Sequence, residues 1–221
     1  MKIIAPSVEI MHSINPNVLV FLERCGRVCY KSEERMTKGS SKKFIKSIIE
    51  RGHESVLEHY SVSVKFITDR GVSHEIVRHR IASFSQESTR YCNYKDQEIQ
   101  FTDPYALTSN TIEKPLSNYH KYLALTEKGY KELIKMGSTP QIARAILPNA
   151  LKTEIIMTAN LREWRHFLRL RTSNAAHPQM RQIAIPLLAF FKRRIPVVFD
   201  DIMHGYYPDL PLASVRECRS K

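Results

Sequence analysis

Apolar residues recur at intervals of three and four in several stretches of the chain, the spacing that places them on one face of a helix. In the longest of these stretches, from about Ser117 to Met136, Gly137 follows where a C-terminal cap is expected. Gly52 has the same position after an earlier stretch. The pattern predicts helices that begin near Pro16, Ser41, Ser73, Ser117, Pro140, Asn160 and Pro178.

Other stretches have the two-residue period of strands. Apolar and polar residues alternate from Tyr60 to Phe66, which predicts a half-buried strand, and further strands are predicted at Glu98 to Phe101 and at Leu151 to Thr158. Residues Ser83 to Arg90 follow neither period and are predicted to form a loop. Without a repeat or a linker, we expect one α+β domain over residues 1–221, with several helices packed around a mainly antiparallel sheet.

Two predicted helices carry most of the polar side chains that invite a functional interpretation. The shorter follows the turn Asp69-Arg70-Gly71, is expected to be capped by Ser73, and presents Glu75, Arg78 and His79 on one face. The other opens with Asn160 and Glu163 in the pattern of a capping box. Its inward positions are Leu161, Trp164 and Leu168, and its other faces carry Arg162, Arg165, His166, Arg169 and Arg171.

The helix predicted from Pro178 contains Pro186, which is expected to kink it. The shorter helix after Pro140 carries Arg144.

Composition places the chain among soluble globular proteins. Of its 221 residues, 43% are apolar and 25% are charged, which excludes disordered and fibrous classes. No apolar stretch approaches the ~20 residues that cross a bilayer, and the first residues lack a signal peptide's apolar region. We expect a cytoplasmic protein without a membrane partner.

The four cysteines, Cys25, Cys29, Cys92 and Cys218, suggest no disulfide framework and agree with a reducing compartment. Cys25 and Cys29 are four apart on the first predicted helix, where packing as small apolar side chains is favoured over a redox or metal pair.

The net charge of +12 favours anionic partners, and nucleotides and nucleic acids both qualify. A basic RNA- or DNA-binding protein is the alternative to an enzyme. The chain lacks lysine and arginine runs, aromatic RNA-binding motifs and zinc-finger spacings, so no nucleic-acid partner is expected.

Three arginines, a histidine and three serines lie between Arg78 and Tyr91, a composition suited to binding phosphate or carboxylate. A basic segment of this kind is also compatible with a solvated helix face or a nonspecific nucleic-acid patch. Glu75 before the run and Glu87 within it argue against a surface that follows a phosphate backbone. The mixture favours a shaped pocket.

The spacing of Arg78-His79-Arg80 and Ser88 resembles the signature of the flavin-dependent thymidylate synthases, the ThyX family. Two later segments also resemble that family. They are Arg144-Ala145-Ile146-Leu147-Pro148, and Asn160-Leu161-Arg162 with His166 and Arg171 following. The resemblance spans at least residues 53–171.

This resemblance implies an enzyme that methylates dUMP to dTMP, with methylenetetrahydrofolate as carbon donor and NADPH as reductant through tightly bound FAD. It implies a homotetramer with sites shared between subunits and no cysteine nucleophile, so Cys92 is a bystander. Arg171 is the expected electrophile beside the uracil ring. The expected dUMP ligands are Glu75, Arg78, Gln86, Ser88, Arg90, Arg144 and Arg171. The expected FAD ligands are His53, Ser55, Glu58, Arg78, His79, Arg80, Asn160, Arg162 and His166.

The sequence departs from the common family pattern at two places. Glu75 stands where many members have glutamine, and the stretch from Arg171 to Arg181 replaces a frequent ending, which leaves His177 and Gln179 without a role. The histidines and carboxylates from His53 to His59 lack the spacing of known zinc motifs, so no metal is expected. Arg165 and Arg169 are expected on a solvated charged face.

Overall fold

A five-stranded mixed sheet is the central element of the structure, a computed structural model that describes residues 1–104, 113–205 and 207–218. The strands are β1 (Lys2–Ile3), β2 (Ser7–Ile10), β3 (Ser61–Asp69), β4 (Ser83–Gln86), β5 (Gln100–Phe101), β6 (Lys152–Asn160) and β7 (Ser214–Glu217). The helices are α1 (Val18–Val28), α2 (Ser40–Glu50), α3 (Arg70–Ile76), α4 (Glu113–Lys135), α5 (Pro140–Ala143), α6 (Leu161–Arg171) and α7 (Pro178–Arg194). Single 3₁₀ segments cover Glu33–Arg35, Glu54–His59 and Arg144–Ile146.

The strand order in the large sheet is β4-β6-β3-β2-β7. The longest pairing joins β3 to β6 antiparallel, from Ser61 opposite Asn160 to Asp69 opposite Lys152. The β2–β3 and β4–β6 pairings are also antiparallel, whereas β7 adds to β2 in parallel. The α+β class and the mainly antiparallel sheet predicted from the sequence are confirmed. A separate parallel pair joins β1 and β5.

The main hydrophobic core lies between one face of this sheet and the helices. Val62, Val64 and Phe66 of β3 are fully buried, as the alternation predicts. Trp164 of α6 packs on Phe66 and donates from Nε1 to the Val62 carbonyl at 3.0 Å. Each such large apolar side chain contributes roughly 1.5–3 kcal/mol by burial. α6 is thereby fixed against β3, and its polar faces are held in defined positions.

A smaller core holds the segment that follows β4. Tyr94, Phe101 and Tyr130 are buried together there, between β5 and α4. The Tyr94 hydroxyl donates to Glu87 Oε1 at 2.8 Å. The residues between Glu87 and Tyr94, which include part of the arginine-rich run, are anchored at both ends.

The predicted helix ends agree well with the structure. Gly52 and Gly137 have φ of 73° and 95°, the left-handed region that glycine adopts without a steric penalty after a helix. α7 begins at Pro178 and runs through Pro186 without interruption. None of the helices in the described ranges is long and apolar enough to span a bilayer.

Four predictions about local structure are wrong. α3 ends at Ile76, so Arg78 and His79 lie after the helix and not on one of its faces with Glu75. Residues 83–86 form β4, an edge strand on β6, and only the rest of the Ser83–Arg90 stretch lacks regular structure. α3 begins at Arg70 and is capped by Asp69, whose Oδ1 accepts from the Val72 N–H at 2.8 Å, so Ser73 lies inside the helix. Cys29 is exposed at the end of α1 and is not packed.

Smaller differences concern lengths. The predicted strand from Glu98 is only Gln100–Phe101, and the strand predicted at Leu151–Thr158 is Lys152–Asn160. α4 starts at Glu113, earlier than Ser117.

Candidate active site

The start of α6 brings Glu163 under the arginine-rich segment. Asn160 caps the helix, since its Oδ1 accepts from the Glu163 N–H at 2.9 Å. The predicted capping box is only half formed, because the Glu163 carboxylate does not return to Asn160 but contacts His79 Nδ1 at 3.1 Å. Glu163 and His79 are 7% and 4% exposed, so this contact lies inside the protein.

A cavity of about 470 Å³ lies beside the first turns of α6, and we call it the α6 cavity. It is lined by Glu54, Glu58, Ile81, Asn160, Arg162, Glu163, His166 and Arg169. Four predicted FAD ligands, Glu58, Asn160, Arg162 and His166, therefore share one cavity. Arg162 Nη1 donates to Glu58 Oε1 at 2.6 Å, so the carboxylate holds the guanidinium that is expected to meet a phosphate.

Arg78 and Arg80 are exposed on either side of the buried His79. Their guanidinium groups have no hydrogen-bond or ion-pair partner among the described residues, so all of their donors are available to a ligand. His53 and Ser55 are exposed at the start of the 3₁₀ segment Glu54–His59 and do not line the α6 cavity.

Arg171, at the last turn of α6, is held from three directions. Its Nε donates to His79 Nε2 at 3.1 Å, its Nη1 to Glu75 Oε2 at 2.8 Å and its Nη2 to the Glu75 carbonyl at 2.9 Å. We call Arg171, Glu75, His79 and Glu163 the Arg171 network. An arginine has five N–H donors, so one N–H remains on each terminal nitrogen. The glutamate at position 75, which the sequence leaves unexplained, is a ligand of Arg171.

The contacts of His79 fix its protonation. An arginine Nε–H only donates, so His79 Nε2 accepts, and the ring proton is assigned to Nδ1, from which it is donated to Glu163. Burial, the Arg171 charge and His166 lower the pKa of His79 to about 4. Burial also raises the pKa of Glu163. His79 is therefore neutral at physiological pH.

Predicted dUMP ligands from the arginine-rich run lie in a second group, which we call the Thr89 cluster. Arg144 Nη1 donates to Thr89 Oγ1 at 3.2 Å, and Arg90 Nε donates to Gln141 Oε1 at 3.0 Å. Ser88 Oγ accepts from the Arg90 N–H at 3.3 Å. Within the described ranges, no hydrogen bond or ion pair joins this cluster to the Arg171 network.

Gln86, also a predicted dUMP ligand, is engaged elsewhere. It donates to Ser73 Oγ and Thr153 Oγ1 at 2.8 and 3.1 Å, which ties β4 to α3 and β6.

A second cavity of about 410 Å³ adjoins Glu75 and contains the two residues without a predicted role. Gln179 donates to Asp69 Oδ2 at 2.8 Å, which joins the start of α7 to the cap of α3, and His177 is exposed at the cavity. Burial raises the pKa of Asp69, and burial raises that of Tyr119 to about 12.

Arg165 contradicts its predicted place on a solvated face. Its side chain is 0% exposed, and its terminal nitrogens contact Glu54 at 3.0 Å and Asp201 at 2.7 Å. It also donates to the Val198 carbonyl. Arg169 has the same carboxylate partners but is 47% exposed, so its prediction is nearer the structure. A helical pattern does not reveal that two acidic residues from distant segments meet on this face.

Among the described residues, one trio could hold a metal ion: His79, Glu163 and His166, whose ligand atoms lie within 4.8 Å of one another. Both ring nitrogens of His79 are already used, and the Arg171 guanidinium is adjacent to it. A cation would have to displace a hydrogen bond of His79 and would be repelled by the Arg171 guanidinium. We interpret His79 and Glu163 as members of the Arg171 network, with His166 in ring contact with His79.

Sequence reasoning missed three partners of predicted site residues: Glu163, Thr89 and Gln141. Thr89 and Gln141 carry no signal of their own, because each matters only through an arginine distant in sequence. Glu163 had a signal, its place in the capping-box pattern, but that pattern pointed to the wrong donor, the Asn160 N–H and not the His79 ring.

Comparison with known proteins yields consistent matches. The family described as Thymidylate synthase complementing protein, Thy1, matches residues 11–197. The chain is 33% identical over 194 residues to the flavin-dependent thymidylate synthase of Corynebacterium aurimucosum, covering 81% of this chain and 78% of the relative. It is 32% identical over 204 residues to that of Geobacter sulfurreducens, covering 89% and 86%.

The fold is similar to that of the UMP/dUMP methylase PolB from Streptomyces cacaoi, solved with 5-Br dUMP. The TM-score is 0.76 at 21% identity, over 90% of this chain and 96% of PolB. The chain belongs to the Thy1 family, the flavin-dependent thymidylate synthases.

Proposed function

We propose that this chain catalyses the reductive methylation of dUMP to dTMP, with FAD as cofactor, methylenetetrahydrofolate as carbon donor and NADPH as reductant. One domain over residues 1–221 carries the reaction, and the compartment is the cytoplasm. The observation that carries the proposal is the Arg171 network, because it fixes a guanidinium at three points and leaves two of its N–H groups for a ligand. Because the chain belongs to the Thy1 family, we take that ligand to be dUMP.

The donors at the arginine-rich segment and the α6 cavity suit a flavin dinucleotide. Arg78 and Arg80 are exposed arginines with free planar forks, and a pyrophosphate binds such forks by paired hydrogen bonds. Arg162 becomes a third donor if its guanidinium turns from Glu58 to the pyrophosphate. When bound, FAD supplies the hydride for the reaction. His79 acts through Arg171 in this scheme, since neither ring nitrogen is free.

Arg171 is our candidate for polarising the pyrimidine. Hydride arrival places negative charge on the uracil ring, and a fixed cationic donor beside a ring oxygen stabilises that charge without reorganising. Glu75 does not contact the nucleotide phosphate in this scheme, because its carboxylate is committed to Arg171. This removes the repulsion that a carboxylate would exert on a phosphate.

The phosphate of dUMP is assigned to the Thr89 cluster. Arg90, Arg144 and Ser88 offer two guanidinium groups and a hydroxyl within one short stretch of surface. Since this cluster makes no contact with the Arg171 network of the same chain in the described ranges, we propose that the two groups meet across subunits of a homotetramer.

An FAD titration tests the cofactor. We expect FAD to raise the thermal midpoint of the purified oligomer and to lose fluorescence on binding, with visible absorbance that a nucleic-acid-binding protein would lack. Arg80→Ala should weaken FAD binding by about 10-fold, the effect of one lost charge-assisted hydrogen bond. Arg193→Ala removes the same charge from an exposed site in α7 and is the matched control. If both variants weaken FAD binding equally, the effect of Arg80 is one of overall charge and not of direct contact with FAD.

Catalysis should not need a cysteine. None of the four forms a disulfide among the described residues, and Cys92, the nearest to the arginine-rich run, contacts Ser88 through its backbone N–H. A variant with Cys25, Cys29, Cys92 and Cys218 replaced by serine or alanine should keep dUMP-dependent turnover within a few-fold. If that variant folds and binds FAD but is inactive, a thiolate mechanism returns, with Cys92 tested first.

A further inference from the structure

We propose that Glu163 is a positioning residue that acts through His79 to set the orientation of the Arg171 guanidinium. The inference rests on the proposed function, in which Arg171 polarises the pyrimidine. It concerns a buried carboxylate at the start of α6, to which that function gives no task, and its link to Arg171 through a histidine with no free nitrogen.

The first step is the choice of the histidine tautomer. Glu163 offers only acceptor oxygens while it is ionised, so it holds the His79 proton on Nδ1, 3.1 Å away. Nε2 is then left with a lone pair that faces the Arg171 Nε–H at 3.1 Å. With the proton on Nε2 instead, two donors would face each other and that contact would be lost.

The second step is the effect on Arg171. Glu75 holds both terminal nitrogens, and His79 holds Nε, so the plane of the guanidinium is fixed along one edge and at its base. Without the contact at Nε the group can tilt about its two bonds to Glu75. The two N–H groups left for a ligand would then lose their fixed direction, which is what makes an electrostatic catalyst effective.

The burial of Glu163 supports a specific role over a general one. Helix capping is already provided by Asn160. An acidic side chain in the first turn of a helix interacts favourably with the helix dipole from the surface, without being 93% covered. Burial of this carboxylate raises its pKa and so works against its ionised form. A buried carboxylate lowers stability unless it is paired, and the partner of this one is the histidine that contacts Arg171.

Two variants separate this role from a role of charge or helix stability. Glu163→Gln keeps an acceptor oxygen of the same reach and removes the charge, whereas Glu163→Leu keeps the bulk and removes the acceptor. We expect dUMP-dependent oxidation of the reduced flavin to slow about 10-fold or more in the leucine variant, as for the loss of one hydrogen bond to a charged group. The glutamine variant should stay within a few-fold of wild type. Glu163 also lines the α6 cavity, but its carboxylate is committed to His79, so FAD affinity should change much less than the rate in both variants.

The tautomer is measured independently of activity. Nitrogen NMR of protein labelled in its histidine rings should show the His79 proton on Nδ1 in wild type and in Glu163→Gln, with His79 identified by the signal that His79→Gln removes. In Glu163→Leu the Nδ1 proton should no longer be the dominant form.

Several results would overturn the inference. Equal slowing in the glutamine and leucine variants would assign Glu163 a role of charge, and unchanged turnover in both would leave it none. A fall in FAD affinity that matches the fall in rate would make Glu163 a cofactor ligand. If Glu163→Leu does not fold, a proton on Nε2 in wild type is sufficient to refute the proposal. If wild type itself binds no FAD and shows no turnover, the proposed function has failed, while the NMR result still decides the tautomer.

Discussion

Replacing Arg171 with lysine is expected to slow dUMP-dependent oxidation of reduced flavin by ~10²-fold or more, the typical effect of removing one electrophilic donor from an active site. Lysine keeps the charge but has no planar fork, so it cannot contact His79, the Glu75 side chain and the Glu75 carbonyl at once. Stopped-flow measurement of flavin oxidation, with and without dUMP, gives the rate.

The same variant provides its own control. Arg171 does not line the α6 cavity, so FAD binding and oligomer size should remain those of wild type. A lysine variant with wild-type turnover would show that the fork is not needed, and Arg171 would then be a structural ligand of Glu75. Loss of FAD together with activity would place Arg171 in the cofactor site instead.

Replacing Arg165 with methionine is expected to lower the free energy of unfolding by about 3–5 kcal/mol, the usual effect of removing one partner from a buried ion pair. Methionine fills most of the volume, so the loss reports the buried charge partner that Glu54 and Asp201 lose and the freed Val198 carbonyl. Val197, next to that carbonyl, has φ of 74°, a strained value for a branched residue, which the contacts of this segment hold in place. Urea unfolding at fixed protein concentration measures the change.

Arg169→Met is the matched control, because Arg169 contacts the same two carboxylates from a half-exposed position. Its effect should not exceed about 1 kcal/mol.

Burial acts to raise the pKa of Asp201, but hydrogen bonds and charges from Arg165 and Arg169 outweigh it and lower the pKa to about 2. The stabilisation is therefore complete above the unfolded value of ~3.9 and is lost as the pH falls towards 2. If Arg165→Met and Arg169→Met lower the free energy of unfolding equally, the burial of Arg165 makes no extra contribution to stability.

Secondary structure was predicted correctly where a single segment is long enough to show a helical or strand period. β3 alternates over a long run and α4 repeats its apolar positions over several turns, so each was found close to its observed position. β4 was missed because four residues are too few to show a period, and its strand conformation comes from pairing with β6. The cap of α3 was misplaced because Asp69 could be a turn or a cap, and only the Val72 contact distinguishes them.

The candidate site shows the same limit more sharply. Residue types and spacing selected the arginines, and the structure brings Arg162 and His166 to one cavity and Arg171 to a separate network. What the sequence could not supply is the partner of each charge. Arg165 and Arg169 are four residues apart on one helix, yet one is fully buried and the other half exposed. Their difference depends on the fold around Asp201.

The parallel pairing of β7 with β2 has a consequence for how the sheet can open. Ser7 lies opposite Ser214, so the pairing closes a very long loop for only four residues of strand, and loop closure becomes costlier with length. As a short edge strand, β7 is therefore expected to detach from the large sheet more readily than the interior strands. Its departure would uncover the edge of β2, where Val8 and Ile10 are buried, and would offer their backbone to a strand from another molecule. Self-association of this protein would then begin from a nearly native form, before global unfolding.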